Sequence, residues 1–218
     1  MIQIYRLFKY FGSSIAIRDL NLRVREGEFV FLTGPSGAGK TTLLRLIFGA
    51  ERPTSGHIII NGVNLSRISR LKLDLLRRKI GFVFQDFKLL SKKTVFENVA
   101  LALEVTGERP GLIRKKTRQT LRLVGLAEKE KAYPLQLSGG EQQRIAIARA
   151  LVKDPLILLA DEPTGNLDPD LTKDIMILFR SIHIKGTTVV VATHSRELLE
   201  DTAQRTVFLH QGKITGEK

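Results

Sequence analysis

The sequence predicts an α/β fold in which helices cover a parallel sheet and a helical region interrupts the order of strands. Three observations carry this prediction. Short apolar runs rich in β-branched and aromatic residues alternate with segments of helical periodicity. A glycine-rich loop joins one such strand to a helix within residues 28–48. Residues from about 94 to 126 have helical spacing without strand signals, which favours a helical insertion in the α/β core.

The first half of the chain contains a strand, a turn and a helix in that order. Residues 28–33 favour a buried strand, and residues 40–48 carry apolar side chains at helical spacing up to Gly49, which ends the helix. The glycine-rich residues 34–39 form the turn between them. Further elements predicted in this half are strands over residues 57–61 and 81–84 and a short basic helix over residues 71–79.

The second half begins with the helical region, which is interrupted near residues 107–111, where glycine and proline fall. Residues 141–152 are rich in good helix formers, and Pro155 ends this helix because the residue before a proline disfavours helical angles. The continuous apolar run 156–160 predicts a central parallel strand covered on both faces. The remaining predicted elements are a helix over 171–184, a strand over 187–193, a short helix over 196–202 and a terminal hairpin of strands 207–210 and 213–215.

The loop after the strand 28–33 is a candidate phosphate-binding site. It matches G-x-x-x-x-G-K-[ST], in which backbone N–H groups turn toward phosphate oxygens at the start of a helix. Lys40 can reach the β- and γ-phosphates of a nucleotide, and the Thr41 hydroxyl can ligate Mg²⁺. A glycine-rich turn with a chance lysine is the plain alternative, and the complete pattern between a strand and a helix argues against it. The residues expected to bind nucleotide here are Gly34, Ser36, Gly37, Ala38, Gly39, Lys40, Thr41 and Thr42.

Two consecutive carboxylates follow the apolar strand 156–160. Asp161 would lie at the carboxyl edge of the sheet, where open α/β folds bind ligands, and it can hold Mg²⁺ directly or through water. Because side chains alternate along a strand, Glu162 need not point the same way. One carboxylate can serve the metal while the other faces an attacking water. An acidic turn after a strand is the alternative interpretation.

The run Ser138-Gly139-Gly140-Glu141 supports two interpretations. Its S-x-x-E spacing is that of a helix capping box, with Ser138 as the N-cap. A helix N-terminus with glycines that permit close approach is equally an anion site. The chain would then carry two phosphate-binding helix ends. Since a single ATP rarely needs both from one subunit, two copies facing head to tail are expected.

The stretch 137–144, Leu-Ser-Gly-Gly-Glu-Gln-Gln-Arg, resembles the signature motif of the ATP-binding-cassette (ABC) ATPases. The resemblance extends over essentially the whole chain. The other family-like motifs are Gln85 after a strand, the D-loop-like Gly165-Asn166-Leu167-Asp168, the switch-like His194, and an aromatic residue for adenine, Phe11 or Tyr10. Phenylalanine stands at position 11 instead of tyrosine, which keeps the ring face for stacking.

The resemblance implies one ABC ATP-binding domain over residues 1–218, a P-loop NTPase core with an inserted helical subdomain and an N-terminal antiparallel β region. The core would comprise about residues 1–90 and 156–218, and the helical signature subdomain about residues 91–155.

The resemblance also implies roles for the site residues. Phe11 would stack on adenine, and the catalytic set would be Glu162, His194, Lys40 and Gln85. Thr41, Gln85 and Asp161 would hold or orient Mg²⁺. Ser138, Gly139 and Gly140 of an opposite copy would close on the ATP.

Residues 77–90, 94–100 and 160–168 are most similar to the subgroup of the family that contains cell-division and lipoprotein-release ATPases. The implied protein is the ATP-hydrolysing subunit of a membrane complex, an ATP-dependent homodimer with an integral membrane partner resembling FtsX, that regulates septal cell-wall hydrolysis. A subunit of a lipoprotein-release or small-molecule exporter shares every catalytic residue and stays open. A nucleic-acid-associated ABC ATPase and a P-loop small-molecule kinase are more distant alternatives, and the kinase has no use for residues 138–141.

The composition sets outer bounds on these functions. The chain has no cysteine, which excludes disulfides and thiolate metal sites, and a net charge of +13. Basic residues cluster within residues 67–93 and 114–122, which suits a solvated surface, an anionic membrane surface or nucleic acid. No signal-peptide pattern or membrane-spanning run is visible. Together with the resemblance, these features lead us to expect a cytoplasmic chain that reaches the inner face of the membrane through its partner, without nucleic acid.

Overall fold

Two sheets organise the computed structural model, which describes residues 1–165, 167–195, 197–200 and 202–218. The described strands are β1 (Ile2–Phe11), β2 (Ser14–Val24), β3 (Phe29–Thr33), β4 (Ser55–Ile60), β5 (Val63–Asn64), β6 (Ile80–Val83), β7 (Ile157–Asp161), β8 (Thr188–Thr193), β9 (Arg205–His210) and β10 (Lys213–Glu217). The described α-helices are α1 (Lys40–Ile47), α2 (Arg70–Arg78), α3 (Val95–Glu104), α4 (Pro110–Leu123), α5 (Gly139–Leu151), α6 (Pro169–Ile184) and α7 (Glu197–Glu200).

The larger sheet has the strand order β10-β9-β3-β8-β7-β6. Its neighbours from β9 to β6 are parallel, and β10 adds an antiparallel edge. The smaller sheet is antiparallel, in the order β2-β1-β4-β5. Among the described residues, no helix combines the length and hydropathy that a membrane span requires.

The alternation of side chains along the central strands divides the interior into two cores. On β3, Phe29 and Phe31 face a core shared with α3, α5 and α6, whereas Val30 and Leu32 face a core shared with α1 and the antiparallel sheet. Both faces of the large sheet are therefore covered, which explains why its strands are continuous apolar runs. Helices α3 to α5 share one core with β3, so burial does not mark them off as a separate unit. The predicted boundaries of the helical subdomain near residues 91 and 155 therefore stay a prediction.

The predicted α/β class, with its antiparallel region, is confirmed, and most predicted elements are present with ends that differ by at most three residues. Within the predicted helix 196–202, the structure describes α7, while Arg196 and Asp201 lie outside the described residues.

The first two strands had no residue-level prediction, and their irregular pairing explains why. The register of β1 shifts on both sides of Leu7, and the backbone of Arg6 has a positive φ of 43°. Such bulges break the period of two that identifies a strand in a sequence.

The loop that follows β6 is tied to the helical region. Arg149 of α5 donates hydrogen bonds to the carbonyls of Phe87 (2.5 Å) and Lys88 (2.6 Å). Asn98 of α3, fully buried, accepts a hydrogen bond from the Leu90 N–H at 2.8 Å and donates to the Leu90 carbonyl at 3.1 Å. The loop that begins at Gln85 is thereby fastened to two helices.

The same Asn98 amide also lies 2.9 Å from the carbonyls of Lys93 and Thr94. Truncation in Asn98→Ala removes a fully buried side chain together with the hydrogen-bond partner of the Leu90 N–H and of the Lys93 carbonyl, so we expect a loss of about 2–3 kcal/mol in the free energy of unfolding. Urea unfolding measures this loss. Asn64→Ala serves as the control, because Asn64 makes one cap hydrogen bond at a partly exposed position. Equal losses for the two variants would contradict the stabilising role of the Asn98 hydrogen bonds.

Candidate functional site

The loop between β3 and α1 has a backbone path that only glycine permits at two points. Gly34 has a φ of 150°, and a Cβ there would lie 2.0 Å from the Leu209 carbonyl oxygen. Gly39, the N-cap of α1, has a φ of 105°, and a Cβ there would lie 2.7 Å from the Ala16 carbonyl oxygen. The loop is therefore fixed against β2 and β9 on one side, with the N-terminus of α1 opening on the other.

Lys40, the first residue of α1, is buried with 7% of its surface exposed. Its ammonium donates to the Gly34 carbonyl at 2.8 Å and to the Pro35 carbonyl at 3.3 Å. A third contact, 3.5 Å long, joins Lys40 Nζ to Glu162 Oε1. The ammonium is thus held against the glycine-rich loop, where it could pair with the oxygens of a bound phosphate.

Asp161 ends β7 next to the start of α1. Its Oδ1 accepts a hydrogen bond from the Thr41 hydroxyl at 3.0 Å, and the side chain is 5% exposed. Burial raises the pKa of the Asp161 carboxyl, and the negative charge of Glu162 adds to this, whereas the Thr41 hydrogen bond and the charges of Lys40 and Arg45 lower it. A nearby cation would relieve the cost of this buried charge.

The oxygens of Thr41 and Asp161 fit Mg²⁺. A hydroxyl and a carboxylate are hard oxygen ligands, and Mg²⁺ in nucleotide sites takes one or two such ligands together with phosphate oxygens and water. Within the described residues no group of three or more His, Cys, Asp or Glu side chains forms a metal cage. By the chemistry of their oxygens, Thr41 and Asp161 fit a metal that binds together with the phosphates.

Glu162 contacts the start of α1, strand β8 and the loop after β8. Its backbone is left-handed, with a φ of 47°, and its N–H donates to the Ala192 carbonyl at 2.9 Å. Carboxylate Oε2 accepts from the His194 backbone N–H at 3.3 Å and lies 2.9 Å from His194 Nδ1, while Oε1 faces Lys40. With this left-handed backbone, the Glu162 side chain contacts both Lys40 and the loop after β8.

A cavity of about 460 Å³ lies between these loops. Its lining includes Gln85, Glu162 and His194, so these predicted residues come together although they are far apart in sequence. The phosphate-loop residues in the lining are Pro35, Ser36, Gly37, Ala38, Gly39, Lys40, Thr41 and Thr42.

Two residues near this site were not predicted from the sequence. They are Ala16 in the cavity wall and Arg45 near Asp161. Arg45 stands four residues after Thr41 on α1, and this spacing is a signal that could have found it. Ala16 had no such signal, because the irregular strand that carries it was not recognised.

The signature run lies outside the cavity lining, at the N-terminus of α5. Ser138 Oγ accepts from the Glu141 N–H at 3.3 Å, and Glu141 Oε2 accepts from the Ser138 N–H at 3.0 Å, so the predicted capping box is present. Hydrogen bonds from Lys129 and from the Ser138 backbone lower the pKa of the Glu141 carboxyl. Ser138 and Gly139 are exposed, whereas a Cβ on Gly140 would lie 2.7 Å from Leu171 Cδ1.

The two aromatic candidates for adenine differ in their surroundings. The Tyr10 ring is stacked with that of Phe8, at a centroid separation of 6.2 Å. Phe11 is 48% exposed and has the Lys9 ammonium 4.6 Å from its ring centroid. It ends β1 just before the hairpin that leads to Ala16, outside the cavity lining. Asn166 of the D-loop-like segment lies outside the described residues.

The sequence is similar to a known protein family and to several characterised bacterial proteins. The family model described as ABC transporter matches residues 17–165. The chain is 47% identical over 215 residues to the cell division ATP-binding protein FtsE of Bacillus subtilis, covering 98% of this chain and 94% of that protein. Identity to the protein of the same name in Mycobacterium tuberculosis is 48% over 216 residues, with the same coverage. For Escherichia coli it is 45% over 207 residues, covering 95% of this chain and 93% of that one.

Solved structures with the same fold include a dimeric ATP-binding cassette in a post-hydrolysis state bound to ADP and Pi. Its TM-score is 0.91 and its identity 37%, over 100% of this chain and 98% of that one. A second dimeric cassette structure matches with a TM-score of 0.91 and 38% identity, over the same shares of the two chains.

Proposed function

The chain belongs to the ABC transporter family, and from this membership we propose that it is the ATP-hydrolysing subunit of a membrane complex that acts in cell division. The observation that carries the hydrolytic part is the contact of one carboxylate, Glu162, with both Lys40 and His194 beside the phosphate loop. The division part rests on relatives named FtsE that match nearly the full length of the chain.

ATP binding is assigned to the loop and its lysine. Backbone N–H groups of the glycine-rich loop and of the first turn of α1 face the phosphates, and Phe11 offers its ring to adenine. The ammonium of Lys40 exchanges its longer contacts, those to Pro35 and Glu162, for phosphate oxygens. Thr41, Asp161 and Gln85 would hold Mg²⁺, which when bound would neutralise negative charge on the phosphates.

Hydrolysis is assigned to Glu162 and His194. When Lys40 turns to phosphate, Glu162 Oε1 is released to accept a proton from the attacking water. The water oxygen bonds to the γ-phosphorus, and the bond from that phosphorus to the bridging oxygen breaks, leaving ADP and phosphate. His194, held through Nδ1 by Glu162, directs its other ring nitrogen to the γ-phosphate. Catalysis then depends on placement and charge, as expected for phosphoryl transfer.

A second copy of the chain is assigned the closing of the site. Ser138 and Gly139 are exposed and absent from the lining of their own cavity, whereas the helix end they form has anion-binding chemistry. Ser138 Oγ accepts a hydrogen bond within its cap, which leaves its hydroxyl proton to donate to a phosphate. The similarity to dimeric cassettes supports a head-to-tail pair in which each ATP lies between two chains.

Glu162→Gln tests the assigned base. Removal of the proton acceptor should lower phosphate release by at least about 100-fold. ATP affinity should persist, and the ATP-bound dimer should become longer-lived, as measured by nucleotide binding and light scattering. Glu108→Gln, at an exposed loop position, is the matched control and should keep wild-type turnover. Undiminished hydrolysis by Glu162→Gln would remove this residue from the mechanism.

Mixing two inactive variants tests the shared site. Lys40→Met destroys the phosphate loop, and Ser138→Arg blocks the opposite helix end. A mixed dimer contains one site in which both parts are intact, so mixing should restore hydrolysis that neither variant shows alone. Mixing Lys40→Met with Glu162→Gln is the control, because both changes affect the same half-site and activity should stay absent. Restoration in neither mixture would contradict the head-to-tail arrangement.

The division role requires an integral membrane partner, and we assign one resembling FtsX, with the chain peripheral at the inner face of the membrane. We expect the chain to co-purify with a four-helix membrane protein that has a large extracellular loop, and depletion of the chain to block septation. Co-expression with an unrelated membrane protein gives the background level. Capture instead by a lipoprotein-release or export partner would identify the chain as a transporter subunit.

A further inference from the structure

Helix α2 carries leucines on two opposite faces. Leu76 is 8% exposed and Leu73 lies against Gly49, whereas Leu71 is 80% exposed and Leu75 55% exposed. Successive helical residues are rotated by about 100°, so Leu71 and Leu75 share one face and Leu73 and Leu76 share the opposite one. A helix on the surface of a domain needs one apolar stripe to fold. The outer pair, Leu71 and Leu75, is therefore not explained by packing.

Basic side chains surround this outer pair. Arg78 follows Leu75 by three residues and lies on the same face. The single acid of residues 67–79 is Asp74, and it pairs with Arg77 over 3.2 Å. The exposed basic residues of the segment are Arg67, Arg70, Lys72, Arg78 and Lys79.

Arg77 holds the inner face of α2 to the rest of the molecule. Its guanidinium donates to the Phe48 carbonyl at 3.4 Å and to the Gly49 carbonyl at 2.7 Å, and it lies 5.6 Å from the centroid of the Phe48 ring. The charge of Arg77 is therefore occupied by contacts at the end of α1. The outer face of α2 is presented in one fixed orientation, and Arg77 is not part of it.

We propose that the outer face of α2, made of Leu71, Leu75, Lys72, Arg78 and Lys79, is a docking surface for an anionic lipid bilayer. Charge complementarity favours this occupant, since each lysine or arginine close to an anionic leaflet adds to its affinity. The leucines enter the boundary between headgroups and acyl chains, while the long basic side chains reach the lipid phosphates. An acidic protein segment without apolar side chains would satisfy the cations and leave the two leucines without an apolar environment.

This contact goes beyond the proposed function, because it brings the chain to a membrane without a protein partner. Two leucines and a few cations form a weak, reversible attachment, since stable anchoring needs more buried apolar surface. Docking through a rigid face fixes how the ATPase is oriented relative to the bilayer.

Vesicle co-sedimentation of the full-length chain tests the proposal. Phosphatidylcholine vesicles that contain phosphatidylglycerol should bind the chain at low salt, and vesicles of phosphatidylcholine alone should not. High salt should weaken the binding, because exposed charges are screened.

Two double variants and their matched controls separate a specific face from general basicity. Lys72→Glu/Arg78→Glu should weaken binding by roughly fivefold or more per charge, whereas Arg114→Glu/Lys115→Glu on α4 makes the same change in net charge and should have a much smaller effect. Leu71→Gln/Leu75→Gln should abolish binding, and the control Leu135→Gln/Ile184→Gln removes two side chains that are each 83% exposed elsewhere. All four variants should retain ATP hydrolysis, which separates this test from that of the proposed function.

Four results would each overturn the proposal. The wild-type chain could fail to bind phosphatidylglycerol vesicles. The Leu71→Gln/Leu75→Gln variant could bind as the wild type does, or the α4 reversal could weaken binding as much as the α2 reversal. Binding restricted to vesicles that carry the membrane partner would show that a protein, and not lipid, occupies the face.

Discussion

The parallel register of the central strands is the constraint on which the site depends. Thr33 lies opposite Thr193 and Asp161 lies opposite Ala192, so β3, β7 and β8 end at one edge of the sheet. Both faces of that sheet are buried under helices or the antiparallel sheet, and polar groups can then be placed cheaply only where the strands end. The phosphate loop, the paired carboxylates and His194 meet because each follows a strand that stops at this edge.

Much of the site could be predicted because its chemistry lies in short contiguous segments. A phosphate loop between a strand and a helix has one arrangement, and a carboxylate after a buried strand has few, so Lys40, Thr41, Asp161 and Glu162 fall where their spacing indicates. The bridging role of Glu162 could not be derived in the same way. It depends on a left-handed residue that turns the side chain toward His194, and alternation along a strand gives no information about such a turn.

Two other features resisted prediction for different physical reasons. The antiparallel sheet is built with register shifts, so Ala16 could not be assigned to the cavity wall from its sequence neighbours. The basic segment before β6 reads as a uniform run of surface charge. The structure divides it into Arg77, which is bound to backbone carbonyls, and an outer set that remains exposed. Sequence shows the charge of such a segment, but tertiary contacts decide which charges are available to a partner.

The two ends of helix α5 take part in different contacts. Ser138 begins it, at the surface assigned to a second copy, and Arg149 grips the carbonyls of Phe87 and Lys88 in the loop after Gln85. A helix of 13 residues is a stiff body about 20 Å long. We therefore expect the helix to move as a rigid body. A displacement of the loop beside Gln85 would move the Ser138 end by a similar amount, because no segment between them must unfold. In the head-to-tail pair proposed above, this rigid link would connect mechanical work done on that loop to the ATP that Ser138 closes.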